Sequence, residues 1–85
     1  MGLDPFDKRL NEEYLYEKIK NSYRSIKSIL LDQKIISGIG NIYACEILFD
    51  CYLSPFCLGK KLSRKKAALL IKSIRNILKK AIIKK

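Results

Sequence analysis

The stretch that decides the fold is LDQKIISGIGNIY, residues 31–43, in which two glycines flank one apolar residue and open an apolar-periodic run. Glycine lets the backbone turn tightly or approach a ligand closely because it carries no Cβ. A helix that begins just after Gly40 would present unpaired backbone N–H groups and the positive end of its dipole. That arrangement binds phosphate, and Asn41 adds a short amide side chain at the same place. We therefore predict a phosphate-binding turn over residues 34–40.

Apolar residues on both sides of this turn recur at helical spacing, which predicts an all-α domain of about four helices. The expected helices cover residues 12–20, 25–33, 41–51 and 64 to about 83. Asn11 and Ser63 are suitable N-cap residues for the first and the last of these helices. Lys66 stands three residues after Ser63, where an acid would complete a capping box, so we expect no capping box there.

The last two helices each carry an apolar face at the three–four spacing of a buried stripe. In the third helix the residues expected in the core are Ile42, Cys45, Leu48 and Phe49. In the fourth they are Ala67, Leu70, Ile71, Ile74, Ile77, Leu78, Ala81 and Ile82. The polar residues expected to face away from that stripe are Lys65, Lys72, Arg75, Asn76, Lys79 and Lys80. Cys45 and Cys51 are expected to be small apolar fillers of the core.

Basic residues are concentrated at one end of the chain. Residues 1–59 hold seven Lys and Arg against eight Asp and Glu, whereas residues 60–85 hold eleven Lys and Arg and no acid. A basic block of this kind favours a polyanionic partner. The thirteen Ile, with no Val or Thr, are also typical of coding bias in an AT-rich genome, which by itself raises the Lys count. Electrostatic attraction to nucleic acid follows from the charge under either explanation.

The length and the cysteine content narrow the class further. Eighty-five residues are enough for one small domain with a modest core. The sequence has no signal-peptide pattern and no apolar run near the ~18 residues of a membrane span, so we expect a cytoplasmic protein. Three Cys without any His or Cys-x-x-Cys pair are a poor zinc site, and their odd number argues against a disulfide framework. We expect neither a metal nor another cofactor in this chain.

An ordered series of residues resembles the helix–two-turns–helix segment of the formamidopyrimidine-DNA glycosylases, which are bacterial enzymes that excise oxidised purines. The residues that carry the resemblance are 14–18, 26–34, 38–44, Glu46, 48–49 and 54–55, and residues 2–6 resemble the lead-in to that segment. The match is ordered and covers nearly the whole chain. It implies that residues 1–10 are a linker and that residues 11–85 form a DNA-binding domain.

The resemblance implies a role for the glycine-rich turn. In the family an asparagine at the position of Asn41, with the turn before it, holds a DNA phosphate near the damaged nucleotide and helps keep that nucleotide out of the stack. Gly38 and Gly40 would be required by backbone geometry and would share the phosphate through their N–H groups. The alternative is that Asn41 only caps the third helix. Lys34 lies in the same turn, where it either reaches phosphate or is a solvated charge.

Four further positions receive roles from the resemblance. Lys27 stands where the family has a lysine close to the DNA backbone. The family commonly has a basic, DNA-contacting residue at the position of Tyr23, so that contact is expected to change here, with Arg24 as the nearest substitute. Glu46 matches an acid on the third helix that faces the catalytic centre. The alternative in each case is an ordinary exposed or ion-paired side chain.

The family's catalytic groups are missing from the matched region. Its nucleophile is the amine of an N-terminal proline, which is followed by a glutamate, whereas this sequence begins MGL. Pro5 and Pro55 are internal and have no free amine to form a Schiff base. The four-cysteine zinc finger of the family would lie C-terminal to the matched segment. We assign no catalytic residue and expect a fragment, whether eroded gene, partial gene or engineered piece, that binds DNA and cuts nothing.

The sequence is compatible with three kinds of partner. The resemblance implies duplex DNA with oxidised-purine or abasic sites, bound by a monomer. A stand-alone nucleic-acid module is the alternative, because helix–hairpin–helix proteins also hold phosphate with a Gly-apolar-Gly turn and structured RNA is then a candidate. Residues 62–85 taken alone also resemble a cationic amphipathic helix of the kind that lies on membranes. Binding to a membrane would take the apolar stripe of this helix out of the core, and a domain this small would then have little core left.

Overall fold

Four α-helices follow one another in the computed structural model, which describes residues 2–83. They are α1 (Glu12–Ile19), α2 (Ile26–Leu31), α3 (Asn41–Asp50) and α4 (Arg64–Ile83), with a 3-10 turn at Gly59–Lys61. Within residues 2–83 the β-structure is limited to two isolated bridges, between Leu3 and Ile36 and between Ser25 and Leu58. The prediction of an all-α domain of about four helices is confirmed.

Side-chain caps set the beginnings of the helices. The Asn11 side chain accepts a hydrogen bond from the Tyr14 N–H at 2.9 Å, and the Ser63 hydroxyl accepts one from the Lys66 N–H at 3.2 Å. Both predicted N-caps are therefore confirmed. The second helix ends at Leu31, two residues earlier than expected, because the Asp32 carboxylate accepts the Lys34 N–H at 2.9 Å and turns the chain away.

The core lies where α4 packs against α1 and α3, and α2 packs against α3 as well. Its fully buried large side chains come from every helix, from the segment before α1 and from the turn before α3. They are Leu10, Leu15, Ile19, Ile26, Ile29, Leu30, Ile36, Ile39, Ile47, Leu48, Leu70 and Ile74. Burial of this apolar surface is the main force that holds so small a domain together.

The predicted inward face of α3 is wrong for three of its four residues. Ile42 is 73% exposed, Phe49 is 86% exposed and Cys45 is also exposed, whereas Leu48 is buried as expected. The residues that face α2 and α4 beside Leu48 are Ala44 and Ile47, with Cys51 following the helix end. Apolar residues surround most of α3, so spacing alone did not determine which side would find a partner.

The stripe of α4 is confirmed from Ala67 to Leu78, and the exposed lysines of the opposite side are confirmed too. Ile82 is wrong, since it is 60% exposed. Ser73 was not expected in the interior, but it is 2% exposed and donates a hydrogen bond to the Asp50 carboxylate at 2.7 Å. Satisfying that hydroxyl makes its burial tolerable.

Arg75 lies off the apolar stripe as expected, but it is half-buried and bonded to the protein rather than left in solvent. Its guanidinium donates to three backbone carbonyls of the segment that precedes α1. The acceptors are Pro5 at 3.2 Å, Asp7 at 2.9 Å and Leu10 at 2.6 Å. Five fixed N–H donors suit arginine to collect several carbonyls in this way, and the segment is thereby tied to α4.

The beginning of the chain is also tied to the turn before α3. The Gly2 N–H donates to the Gln33 carbonyl at 2.7 Å, the Leu3 N–H to the Ile35 carbonyl at 3.2 Å, and the Ser37 N–H to the Leu3 carbonyl at 2.9 Å. A Cβ on Gly2 would lie 2.5 Å from the Ile35 carbonyl carbon, so this close approach requires glycine. Among the described residues, none of the helices is both long and apolar enough to span a lipid bilayer.

Candidate phosphate-binding site

The start of α3 presents free backbone donors. Gly40 is the N-cap, and the first helical bond runs from the Ala44 N–H to the Gly40 carbonyl at 2.9 Å. Within residues 2–83 the N–H groups of Asn41, Ile42 and Tyr43 have no acceptor. Three aligned N–H groups at the positive end of a ten-residue helix attract an anion.

Asn41 is the first residue of α3, and it does not cap the helix. The cap position belongs to Gly40, which has no side chain to bond the free N–H groups. The Asn41 side chain is exposed and makes no hydrogen bond within the described part of the chain. The capping alternative is therefore excluded, and the amide is free to donate to a ligand beside the backbone N–H groups.

The two glycines of the turn serve different purposes. Gly38 has φ +84°, which strains any residue with a Cβ, and its N–H donates to the Gln33 side-chain oxygen at 2.7 Å. That N–H is thus used inside the turn. Gly40 has φ −89°, and a Cβ there would meet no atom within 4 Å. The fold itself therefore does not require glycine at position 40. Because glycine has no side chain, the space beside the start of α3 stays open to a ligand.

Gln33 is the residue that shapes this turn, and sequence reasoning did not assign it to the site. Its amide oxygen accepts the Gly38 N–H, while its amide nitrogen lies 3.4 Å from the carbonyls of Leu31 and Ile39. The Tyr14 hydroxyl donates to the Ile35 carbonyl at 2.7 Å and holds the turn from α1. A polar side chain at the end of an apolar helical face, just before Gly-x-Gly, was the available signal.

The basic residues assigned from the sequence lie around the ends of α2. The Arg24 guanidinium pairs with the Asp32 carboxylate at 2.8 Å and lowers the pKa of that carboxyl, with a further contribution from the Lys34 N–H. Lys34 is exposed in the turn, and Lys27 is half-buried on α2. Tyr23 is 75% exposed just before α2. The turn over residues 32–40 joins this group to the start of α3.

Glu46 occupies a different side of α3 from Asn41. Five residues at 3.6 per turn place the two side chains about 140° apart around the helix. Glu46 lines an open cleft of about 520 Å³ between α3 and the end of α4, together with Tyr43, Phe49, Asp50, Ile77, Lys80 and Ala81. The structure thus brings Gly38, Gly40 and Asn41 together and leaves Glu46 apart from them. Over residues 2–83, no three His, Cys, Asp or Glu side chains are grouped so as to hold a metal ion.

The fold and the turn together define a small helical domain that offers a helix N-terminus and a free amide to an anion. A family model described as "Formamidopyrimidine-DNA glycosylase H2TH domain" matches residues 1–85. The chain is 50% identical over 78 residues to the formamidopyrimidine-DNA glycosylase of Carboxydothermus hydrogenoformans and 47% identical over 78 residues to that of Ureaplasma parvum. These alignments cover 92% of this chain and 30% and 28% of the relatives.

Solved structures give the same result. The MutM (Fpg) protein of Thermus thermophilus superposes with a TM-score of 0.90 at 35% identity, over 96% of this chain and 31% of that one. Lactococcus lactis Fpg in complex with DNA that contains an abasic site superposes with a TM-score of 0.88 at 35% identity, over 96% and 30%. The chain therefore belongs to the H2TH domain family of the formamidopyrimidine-DNA glycosylases. It spans about 30% of the length of the relatives that it matches.

Proposed function

We propose that this chain binds duplex DNA that contains damaged or abasic nucleotides, as the phosphate-gripping domain of an oxidised-purine excision enzyme. The observation that carries the proposal is the start of α3, where three free N–H groups, an open Gly40 and the unbonded Asn41 amide converge. Support comes from Lactococcus lactis Fpg, which shares the fold and whose structures contain DNA with an abasic site or with N7-benzyl-Fapy-dG.

The grip would work through the DNA backbone. A phosphate placed at the start of α3 would accept hydrogen bonds from the backbone N–H groups of Asn41 and Ile42 and from the side-chain amide of Asn41. Contacts of this kind position the duplex and carry no sequence information. Holding the phosphate next to an extruded nucleotide offsets part of the cost of keeping it unstacked. Base excision and strand cleavage would need groups outside this chain. We propose that the chain by itself acts as a monomer and without a cofactor. Its place of action would be the bacterial cytoplasm, at the nucleoid.

The test is fluorescence anisotropy on a duplex with an abasic-site analogue, against the undamaged duplex, over a series of salt concentrations. Asn41→Ala is expected to weaken binding by roughly tenfold, since a hydrogen bond to a charged group contributes about 1.5 kcal/mol or more. Asn76→Ala is the matched control, because Asn76 is an exposed asparagine on α4. Equal affinity of wild type and Asn41→Ala, or a preference for structured RNA over duplex DNA, would contradict the proposal.

Gly40→Ala provides a second arm. Its Cβ meets nothing within 4 Å in the protein, so the fold is expected to be kept, and the thermal unfolding midpoint should fall only slightly because alanine is a poorer N-cap than glycine. The methyl group would occupy the space at the helix start and lower the affinity for DNA. A variant that keeps both its stability and its affinity would show that no phosphate approaches this position.

A further inference from the structure

Two chain segments run side by side before α2 and after α3. We call residues 22–27 and 55–61 the basic ribbon. The Ile26 N–H donates to the Cys57 carbonyl at 2.7 Å, the Gly59 N–H to the Arg24 carbonyl at 2.9 Å, and an antiparallel bridge joins Ser25 to Leu58. These bonds fix which side chains of the two segments are neighbours.

All the charged residues of the basic ribbon are cations. It carries Arg24, Lys27, Lys60 and Lys61 and no Asp or Glu. Arg24 is paired with Asp32, outside the ribbon, while the described part of the chain gives neither Lys60 nor Lys61 a carboxylate partner. The ribbon therefore holds exposed cations that are not neutralised by the fold.

Lys60 is placed over an aromatic ring. Its ammonium lies 4.2 Å from the ring centroid of Tyr23, and the ring is 75% exposed. The Lys60 N–H donates to the Ser22 carbonyl at 2.9 Å, so the backbone of the lysine is fixed next to the tyrosine. A cation over the face of a tyrosine is attracted by the ring quadrupole, which limits where the ammonium can go.

The 3-10 turn that carries Lys60 begins at a tightly packed glycine. Gly59 is buried, and a Cβ there would lie 2.8 Å from the Ile29 side chain and 3.0 Å from the Ile19 carbonyl. This packing brings the turn against α1 and α2 and places Lys60 and Lys61 at its surface. The ring of Tyr23 and the ammonium of Lys60 are both exposed and are therefore accessible to a ligand.

We infer that the basic ribbon is a second phosphate-binding surface for the duplex, in which Lys60 binds a backbone phosphate and Tyr23 is the positioning residue for its ammonium. The inference rests on the proposed function in that the ligand is again duplex DNA. It assigns to this chain a contact made by a lysine from the 3-10 turn, far along the sequence from the aromatic residue that orients it. Lys27 and Lys61 supply further positive potential beside it.

The test compares Lys60→Gln with Lys72→Gln in salt titrations of duplex binding. Both changes remove one exposed lysine charge, but Lys72 lies on α4, outside the ribbon. Loss of one phosphate contact is expected to lower affinity by ~5- to 10-fold at 0.1 M salt and to reduce the salt slope by about 1. Lys72→Gln is expected to cause less than a twofold change. Equal losses in the two variants would overturn the inference and leave only a general electrostatic attraction.

The role of Tyr23 is tested by Tyr23→Leu and Tyr23→Phe. Leucine removes the ring face and is expected to lower affinity and salt slope in the same direction as Lys60→Gln, while phenylalanine keeps the ring and is expected to restore wild-type binding. Wild-type binding by Tyr23→Leu, or a loss in Tyr23→Phe as large as in Tyr23→Leu, would overturn the positioning role. Circular dichroism melting curves check that the folds are equal.

The result is separable from the fate of the start of α3. If Asn41→Ala leaves binding unchanged while Lys60→Gln weakens it, the proposed grip at α3 fails and the ribbon stands. If Asn41→Ala weakens binding and Lys60→Gln does not, the ribbon fails alone. Additive losses in the double variant are expected for two contacts that bind separate phosphates of one duplex.

Discussion

Helices α3 and α4 both carry apolar faces, yet they meet the rest of the molecule in opposite ways. α4 buries the continuous stripe that its spacing predicts and turns its lysines to solvent. α3 buries Ala44, Ile47 and Leu48 and exposes the larger Phe49 together with Ile42. The buried face of a strongly amphipathic helix can be predicted from its sequence. In a helix that is apolar on two sides, the buried face depends on where the neighbouring helices pack.

The two helices also differ in charge. From residue 35 to residue 59 the chain has no Lys or Arg and two acids, Glu46 and Asp50. The outer side of α3 is therefore apolar and acidic in a chain of net charge +10, so the duplex is expected to meet the start of α3 and the basic ribbon rather than that side. Three experiments test the contrast between the two helices and a fourth tests the segment before α1, in order of decreasing effect.

Thiol labelling should separate the two sides of α3 most strongly. Cys45 is exposed, whereas Cys51 is buried, and burial raises the pKa of the Cys51 thiol. The thiolate is the reactive form, so Cys51 should react only when the domain opens, ~10³-fold more slowly than Cys45. Iodoacetamide labelling followed by peptide mass spectrometry measures both rates. Similar rates would show that the two sides of α3 are equally open.

Neighbouring residues on α3 should differ nearly as much in stability. Leu48→Ala removes a side chain that is 1% exposed and is expected to lower the free energy of unfolding by about 2–5 kcal/mol. Phe49→Ala removes a larger side chain that is 86% exposed and should change it by less than about 0.5 kcal/mol. Urea unfolding monitored by circular dichroism gives both values. A large loss in Phe49→Ala would mean that the outer side of α3 is covered.

Arg75 should contribute more to the free energy of unfolding than the exposed lysines of α4. Arg75→Lys cannot reach three carbonyls at once, and we expect a loss of about 1–3 kcal/mol in the free energy of unfolding. Lys72→Gln is the control and should be neutral, because Lys72 makes no such bonds within residues 2–83. Equal midpoints of urea unfolding for the two variants would refute the anchoring role of the guanidinium.

The smallest effect concerns pH. The Arg9 guanidinium, with help from the Arg9 N–H, lowers the pKa of Asp7 from 3.8 to about 2. A carboxyl whose pKa is lower in the folded state contributes stability above its unfolded pKa, and that contribution is lost as the pH falls from about 4 to about 2. Asp7→Asn should therefore show a shallower fall in urea midpoint over this range than wild type. Parallel curves would mean that the Arg9 contact does not persist in solution.

Local signals account for what the sequence could predict. The side-chain oxygens of Asn11 and Ser63 predicted two helix starts, and the Gly38-x-Gly40 turn predicted the start of α3. The facing of α3 was not predictable, because it depends on which side meets α2 and α4. Arg75 and the pairing of Lys60 with Tyr23 were missed for a related reason, because each acts on backbone or a ring that only the folded chain brings near. The partners of Gln33 lie within six residues of it, so its role was missed although a local signal was present.

The hydrogen bonds between Gly2, Leu3 and the Gln33–Ser37 turn also have a mechanical consequence. Along the chain, a displacement at residue 2 would have to pass through all of α1 and α2 before it reached the glycine turn. Through these bonds it reaches the turn directly, and Arg75 clamps the same segment to α4 from the other side. We therefore expect a displacement of residues 2 and 3 to be passed to the turn before α3 through these three hydrogen bonds, without unwinding of α1 or α2.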